Sequence, residues 1–198
     1  MHIKSLCLAA AAVFTVGLSA GARADVTATA PMTFTSPDVP VAICDLCTVR
    51  STLRVAEHGR VLDIDALVDI THGWDADLVL SLSHGATTVL LANRQGGSGG
   101  ANYTGTVFDD GAPIAIDAGY AYAPYTGAFR PQEALAAFIG QDVFGDWTLT
   151  VTDSEAGDAG TIDHWGIAAT VPEPASLALF AAAALGLAGA RRRRRANL

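Results

Sequence analysis

Lysine is almost absent from this chain of 198 residues, since Lys4 is the only one. Residues 25–171 contain five arginines and nineteen acidic residues, which gives this segment a net charge of −14. Such a field repels nucleic acid and anionic lipid, and it favours cations. A solvated acidic surface can also serve solubility alone. The composition therefore excludes a nucleic-acid-binding protein and leaves open whether a cation is bound.

Cysteine is also scarce, with three residues in the chain. Cys7 lies in the N-terminal apolar segment, and Cys44 and Cys47 form a C-x-x-C pair. A redox site would need a helix N-terminus after Cys44, whereas residues 48–53 have the pattern of a strand. A zinc site would need a second ligand pair. Free thiols and redox or metal chemistry remain alternatives, but we predict a local disulfide between Cys44 and Cys47.

Long amphipathic helices are missing between residues 25 and 171, and short alternating runs take their place. The apolar residues of 62–70, 78–82, 147–151 and 165–169 recur with period two, and residues 87–92 form a further strand. One turn of helix is expected at 133–138, and residues 154–160 should join two strands in a hairpin-like connection. This pattern predicts an all-β fold, a jelly-roll-like antiparallel β-sandwich.

The N-terminus has the features of a secretory signal peptide. Lys4 is followed by an apolar run over residues 6–20, and Ala22-Arg23-Ala24 is an A-x-A cleavage site. We therefore expect a signal peptide at 1–24 and an extended lead-in at 25–38. The sandwich should occupy 39–171, and a tail follows at 172–198.

The tail contains Pro172, Glu173 and Pro174, then an uncharged apolar run over 175–190, then arginines at 191–195. Sixteen helical residues measure about 24 Å, which is short for a hydrocarbon core of about 30 Å. The layout resembles the PEP-CTERM sorting signal of Gram-negative bacteria. The resemblance implies a transmembrane helix, cleavage by the membrane protease exosortase, and delivery to the cell surface or extracellular matrix. The alternative is a plain membrane anchor.

Four segments, in order along the chain, resemble the P domain of proprotein convertases and bacterial subtilisin-like proteases. This resemblance implies a jelly-roll sandwich that stabilises, folds or regulates a protease. We expect no enzymatic activity, because the chain leaves no room for a catalytic domain. Ser98 in a literal G-x-S-x-G lies in a glycine-rich loop and not in a strand-turn-helix context. The four segments are residues 70–78 (ITHGWDADL), 93–110 (NRQGGSGGANY to VFDD), 125–140 (YTGAFRP onward) and 145–165 (GDWTLTVTD to Trp165).

Calcium is the predicted cofactor. Oxygen ligands that converge from several loops suit this ion, and some bacterial P domains bind it. His72 and His84 could be ligands or bases, but hydrogen-bonded structural roles are favoured. The tryptophans of the strands, Trp147 and Trp165, should be core residues, while Trp74 should be exposed. The candidate ligands are Asp75 and Asp77 in one loop, the adjacent Asp109 and Asp110, and Asp153 and Asp158 beside a glycine-rich turn.

These observations predict an exported, non-catalytic module. It would begin as a membrane-anchored precursor and end at the cell surface or in the matrix. Its partners would be exosortase and extracellular polysaccharide or matrix protein. The alternative is an accessory that acts in trans on a subtilisin-like serine protease.

Overall fold

The computed structural model describes residues 31–97, 100–118 and 122–172. Within these ranges ten strands account for nearly all regular structure, with short 3-10 turns at Asp75–Asp77 and Leu135–Phe138. The strands are β1 (Met32–Thr35), β2 (Val41–Ile43), β3 (Thr48–Val55), β4 (Asp63–His72), β5 (Leu78–His84), β6 (Thr87–Asn93), β7 (Tyr103–Phe108), β8 (Tyr125–Phe129), β9 (Gly145–Asp153) and β10 (Gly160–Thr170).

The strands form two sheets, so the predicted all-β sandwich is confirmed. The first sheet has the order β1-β10-β4-β7-β8, with β2 also paired to β10, and the second has the order β3-β9-β5-β6. The pairing is not antiparallel throughout, because β7 and β8 run parallel. No helix in the described ranges is long and apolar enough to cross a membrane. The predicted signal peptide and transmembrane helix lie outside those ranges.

Alternation along β4 shows why these residues form a sandwich. Ile64, Ala66, Val68 and Ile70 are buried between the sheets, while the intervening positions, Asp65, Leu67 and Asp69, are partly exposed. Each large aliphatic side chain that is removed from water contributes about 1.5–3 kcal/mol. The opposite sheet supplies the other half of the core. Trp147 from the second sheet and Trp165 from the first are both buried in this core, as predicted.

Part of the predicted lead-in belongs to the first sheet. Met32 pairs with Ala169, so β1 forms an edge strand on β10. Asp38 then ties this segment to β3, because its carboxylate accepts hydrogen bonds from the Ser36 hydroxyl at 2.6 Å and the Thr52 N–H at 2.9 Å.

The expectation of a hairpin at residues 154–160 is wrong. Strand β9 belongs to the second sheet and β10 to the first, so the connection crosses from one sheet to the other. This crossover lies at the same end of the sandwich as His72, the last residue of β4. We call that end the loop end. The tail end is the opposite one, where β10 ends at Thr170. The ten residues of β4 separate the two ends by about 30 Å.

Candidate metal centre

Three side chains converge at the loop end. His72 ends β4, Asp153 ends β9, and Asp158 lies in the crossover. The Nε2 atom of His72 is 3.3 Å from Asp153 Oδ2, and its Nδ1 atom is 3.9 Å from Asp158 Oδ2. One potential ligand atom from each residue lies within 4.8 Å of the other two. The crossover between the sheets therefore brings together two carboxylates that the sequence places five positions apart.

Asp77 faces the same region from the 3-10 turn. The backbone N–H of Ser154 donates to the carbonyl of Asp77 at 2.8 Å, which holds the turn against the crossover. Burial, and then the neighbouring Asp158 and Asp153, raise the pKa of the Asp77 carboxyl. An open pocket of about 330 Å³ lies here. Its lining residues are Trp74, Asp77, Glu155, Ala156, Gly157 and Asp158.

Not all of these carboxylates are neutralised by protein groups. Oδ1 of Asp158 is buried without a hydrogen-bond partner among the described residues. Arg94 pairs with Glu155 at 2.6 Å and not with Asp77, Asp153 or Asp158. A buried anionic oxygen without a partner is costly. The donor set, with more carboxylate oxygens than imidazole nitrogens, fits a hard cation such as calcium.

His72 has a structural role in this arrangement. Its side chain is fully buried, and Nδ1 lies 3.0 Å from the carbonyl of Trp74 while Nε2 contacts Asp153. The ring therefore orients Asp153 and the start of the 3-10 turn. An alternating strand that ends in histidine beside an Asp-rich loop is the sequence signal for this contact.

Asp75 is close in sequence but faces different groups. It is fully buried, and both of its carboxylate oxygens lack a hydrogen-bond partner among the described residues. Burial raises the pKa of Asp75 to about 7. Burial, and then the charge of Asp75, also raise the pKa of Tyr125 to about 12. The sequence predicts Asp75 and Asp77 as ligands from one loop, but in the structure their carboxylates have different neighbours.

Asp109 and Asp110 lie at the tail end, away from the other candidates. Asp109 follows β7 and accepts a hydrogen bond from the Gly111 N–H at 2.6 Å. Asp110 accepts hydrogen bonds from the N–H groups of Leu135 and Ala136, at 2.9 and 2.8 Å, and so caps the second 3-10 turn. The structure thus groups Asp77, Asp153 and Asp158, and it gives Asp109 and Asp110 other partners.

The disulfide turn supports the centre from outside. Cys44 and Cys47 are bonded to each other. Between them, Asp45 accepts a hydrogen bond from the Gly157 N–H at 3.2 Å. The turn therefore touches the crossover that carries Asp158. Trp74, at 39% exposure, is the exposed aromatic that the sequence predicts.

His84 lies at the tail end and is not part of this centre. Its two ring nitrogens lie 2.9 and 2.8 Å from the carbonyl oxygens of Asp146 and Asp142. The ring stacks on Trp147 with centroids 4.1 Å apart. A larger pocket of about 590 Å³ lies beside it. Asp142, in its wall, is already hydrogen-bonded to His58 and to the Gly59 N–H.

Comparison with known families matches residues 61–169 to the proprotein convertase P-domain. This match covers more than half of the chain. The chain belongs to the proprotein convertase P-domain family.

Residues 170–195 match the PEP-CTERM protein-sorting motif, which agrees with the predicted tail. Within the Pro-Glu-Pro sequence, Pro172 is described, whereas Glu173, Pro174 and the apolar run that follows lie outside the described residues. Ser98 also lies outside the described residues. P domains are non-catalytic modules associated with proteases, and no catalytic domain is matched in this chain.

Two of the similar proteins are proteases. A calcium-dependent protease of Nostoc sp. (strain PCC 7120 / SAG 25.82 / UTEX 2576) is 29% identical over 129 residues, which is 63% of this chain and 16% of that protein. The serine protease of Aeromonas sobria, in complex with its chaperone ORF2, is 17% identical with a TM-score of 0.42. That alignment covers 73% of this chain and 28% of the protease. The P-domain chain therefore corresponds to a small part of each of these proteins.

Proposed function

We propose that this protein is an exported P-domain module that exosortase delivers to the cell envelope or extracellular matrix, where it acts in surface binding or structure. The observation that carries the proposal is the direct junction of the two matched families. The P-domain match ends at residue 169 and the sorting motif begins at residue 170, within the last strand. A P domain is thus joined directly to a sorting signal, without an intervening linker.

Replacement of the Pro-Glu-Pro motif tests this proposal. Glu173→Ala and Pro174→Ala together should hold the protein in the membrane fraction of the producing cell, while the unaltered protein reaches the surface or matrix. Gln132→Ala, an exposed change on the sandwich, is the control. Equal distribution of both variants would contradict sorting through this motif.

Calcium is the cofactor that we propose for the loop end. Asp77, Asp153 and Asp158 would hold the ion, with His72 orienting Asp153. The unpartnered Oδ1 of Asp158 and the raised pKa of Asp77 support this choice. The calcium-dependent protease among the relatives is consistent with it. The bound ion would supply positive charge that offsets the repulsion among these carboxylates.

A second candidate function follows from the relatives. Because the similar proteins are proteases, the module could act in trans on a separate subtilisin-like protease. A pull-down with the surface-released protein separates the two functions. Capture of matrix polysaccharide supports surface binding, and capture of a serine protease supports the accessory role.

A further inference from the structure

The segment between the last strand and the apolar tail is short. Val171 is 8% exposed, and its side chain packs closely on Gly59. A Cβ atom added to Gly59 would lie only 3.0 Å from the Cβ of Val171. Folded structure therefore extends to Val171. Only three residues, 172–174, separate it from the apolar run at 175–190. Fully extended, they reach about 10 Å.

This length is close to the thickness of the lipid headgroup layer. The headgroup regions add about 5–8 Å on each side of a hydrocarbon core of about 30 Å. The apolar run, at about 24 Å when helical, is shorter than that core, and such a mismatch draws the flanking residues inward. With the tail inserted, the tail end of the sandwich must therefore lie against the headgroups.

The tail end presents apolar side chains around Val171. Of the seven large apolar side chains exposed in the described ranges, four lie here. Met32 is paired with Ala169 on one side of β10, and the N–H of Leu62 donates to the carbonyl of Thr170 on the other. The exposed fractions of the four are 40% for Met32, 40% for Leu62, 48% for Ile139 and 37% for Phe144.

Backbone hydrogen bonds fix the other two beside the same exit. Gly140, next to Ile139, donates to the carbonyl of Val61 at 2.8 Å, and Val143, next to Phe144, donates to the carbonyl of Gly59 at 2.8 Å. The Phe144 ring is stacked on His58 with centroids 4.1 Å apart. These positions are therefore rigidly held relative to Val171.

Charge at this end is partly compensated. Asp142 pairs with His58 at 2.7 Å, and Asp146 pairs with Arg54 at 2.8 Å. Glu57 and Asp63 are exposed at this end, and Asp109 and Asp110 are partly exposed there, while Arg60 lies opposite Asp142. Acidic groups therefore outnumber basic ones, so the contact would be apolar and not an attraction to anionic lipid. The net charge of residues 25–171 opposes approach to an anionic surface, but a tether of three residues keeps the local concentration of lipid high.

We propose that Met32, Leu62, Ile139 and Phe144 form a membrane-contact face that rests at the headgroup boundary while the tail is inserted. This inference rests on the proposed function, because it requires the sorting tail to enter the bilayer. The partner is a lipid surface. The candidate metal centre then points away from the membrane, about 30 Å from this face, and is accessible before the tail is cleaved.

Site-directed fluorescence on the full chain tests the orientation. In a Cys7→Ser background the disulfide leaves no other free thiol, so Ile139→Cys can carry an environment-sensitive dye. Ala156→Cys, exposed at the loop end, is the matched control. In phosphatidylcholine vesicles, nitroxide lipids should quench the dye at residue 139 strongly. Aqueous iodide should quench the dye several-fold less at 139 than at 156.

Three outcomes would contradict the proposal or its premise. If the protein floats with the vesicles but both dyes respond equally to iodide, the membrane-contact face is refuted while tail insertion stands. If the protein does not float, insertion itself fails and the proposed sorting route fails with it. Leu62→Ser with Phe144→Ser should weaken lipid quenching at 139 without changing flotation. Unchanged quenching in this double variant would show that the tether alone creates the proximity and would overturn the apolar contact.

Discussion

At the scale of single residues, Asp65 on β4 has an unfavourable environment. Burial, and then repulsion from Asp109, Asp63 and Asp110, raise the pKa of its carboxyl to about 6. A carboxyl whose pKa is raised on folding holds its proton in the folded state over about pH 4–6. The contribution of Asp65 to stability therefore falls as the pH rises through this window.

Replacement of this residue should stabilise the protein near neutral pH. The shift corresponds to about 3 kcal/mol before screening, and because Asp65 is only partly buried, solvent screening reduces this to about 1 kcal/mol. Asp65→Asn should raise the melting temperature by about 3–5 °C at pH 7.5 and leave it nearly unchanged at pH 4. Asp117→Asn, at an exposed site, controls for the loss of one charge. Circular dichroism melts measure the effect. The same increase at both pH values would contradict the account.

The sequence predicts the carboxylates of the candidate metal centre as possible ligands, but it does not predict how they are grouped. Asp77, Asp153 and Asp158 stand out as loop carboxylates, and all three converge at the loop end. Asp109 and Asp110 are equally prominent in the sequence. At the tail end, however, Asp109 accepts a hydrogen bond within a turn and Asp110 caps the second 3-10 turn. Local sequence does not show which loops meet, because that depends on the sheet to which each strand belongs.

At the scale of elements, long alternating strands are the predictable part of the fold. Strands β4, β5, β9 and β10 follow from the period of two in their apolar residues. The three-residue β2 and the edge strand β1 carry too few residues for a pattern. Two features depend on long-range contacts: β7 pairs in parallel with β8, and the chain crosses between the sheets after β9. The sequence of the connecting loops alone specifies neither feature.

The disulfide turn is the element that supports the crossover. Replacing Cys44 and Cys47 by Ser should lower the melting temperature by several degrees and leave the fold intact. So small a loop contributes on the order of 2 kcal/mol at most. Asp45→Ala, which keeps the disulfide but removes the contact with Gly157, separates the two effects. Loss of folded structure in the double Ser variant, seen by near-ultraviolet circular dichroism, would contradict a merely supporting role.

At the scale of the whole molecule, residues 25–171 carry a net charge of −14. At the loop end, both carboxylate oxygens of Asp75 and one of Asp158 are buried without a hydrogen-bond partner among the described residues. An ion that binds only the folded state adds about 2.7 kcal/mol at a hundredfold excess over its Kd. Calcium should therefore raise the melting temperature by about 5–10 °C. Magnesium and matched sodium chloride are the controls for general screening.

Variants separate the candidate ligands from the other acids. Asp77→Asn and Asp158→Asn should each reduce the shift that is specific to calcium. Asp110→Asn should lower the melting temperature by the same amount with and without calcium, because Asp110 caps the second 3-10 turn. Identical melting curves in EDTA and in millimolar calcium would reject the metal centre and leave the acidic surface as a solubility device.

The central claim is that the tail directs sorting and is then removed. Mass spectrometry of the C-terminus of surface-exposed protein tests this claim most directly. We predict chains that end close to Pro174 and lack Arg191 to Arg195, and we expect these shortened chains to disappear when exosortase is deleted. Recovery of only full-length chains that still carry the arginine cluster would contradict the account and leave the tail as a permanent anchor.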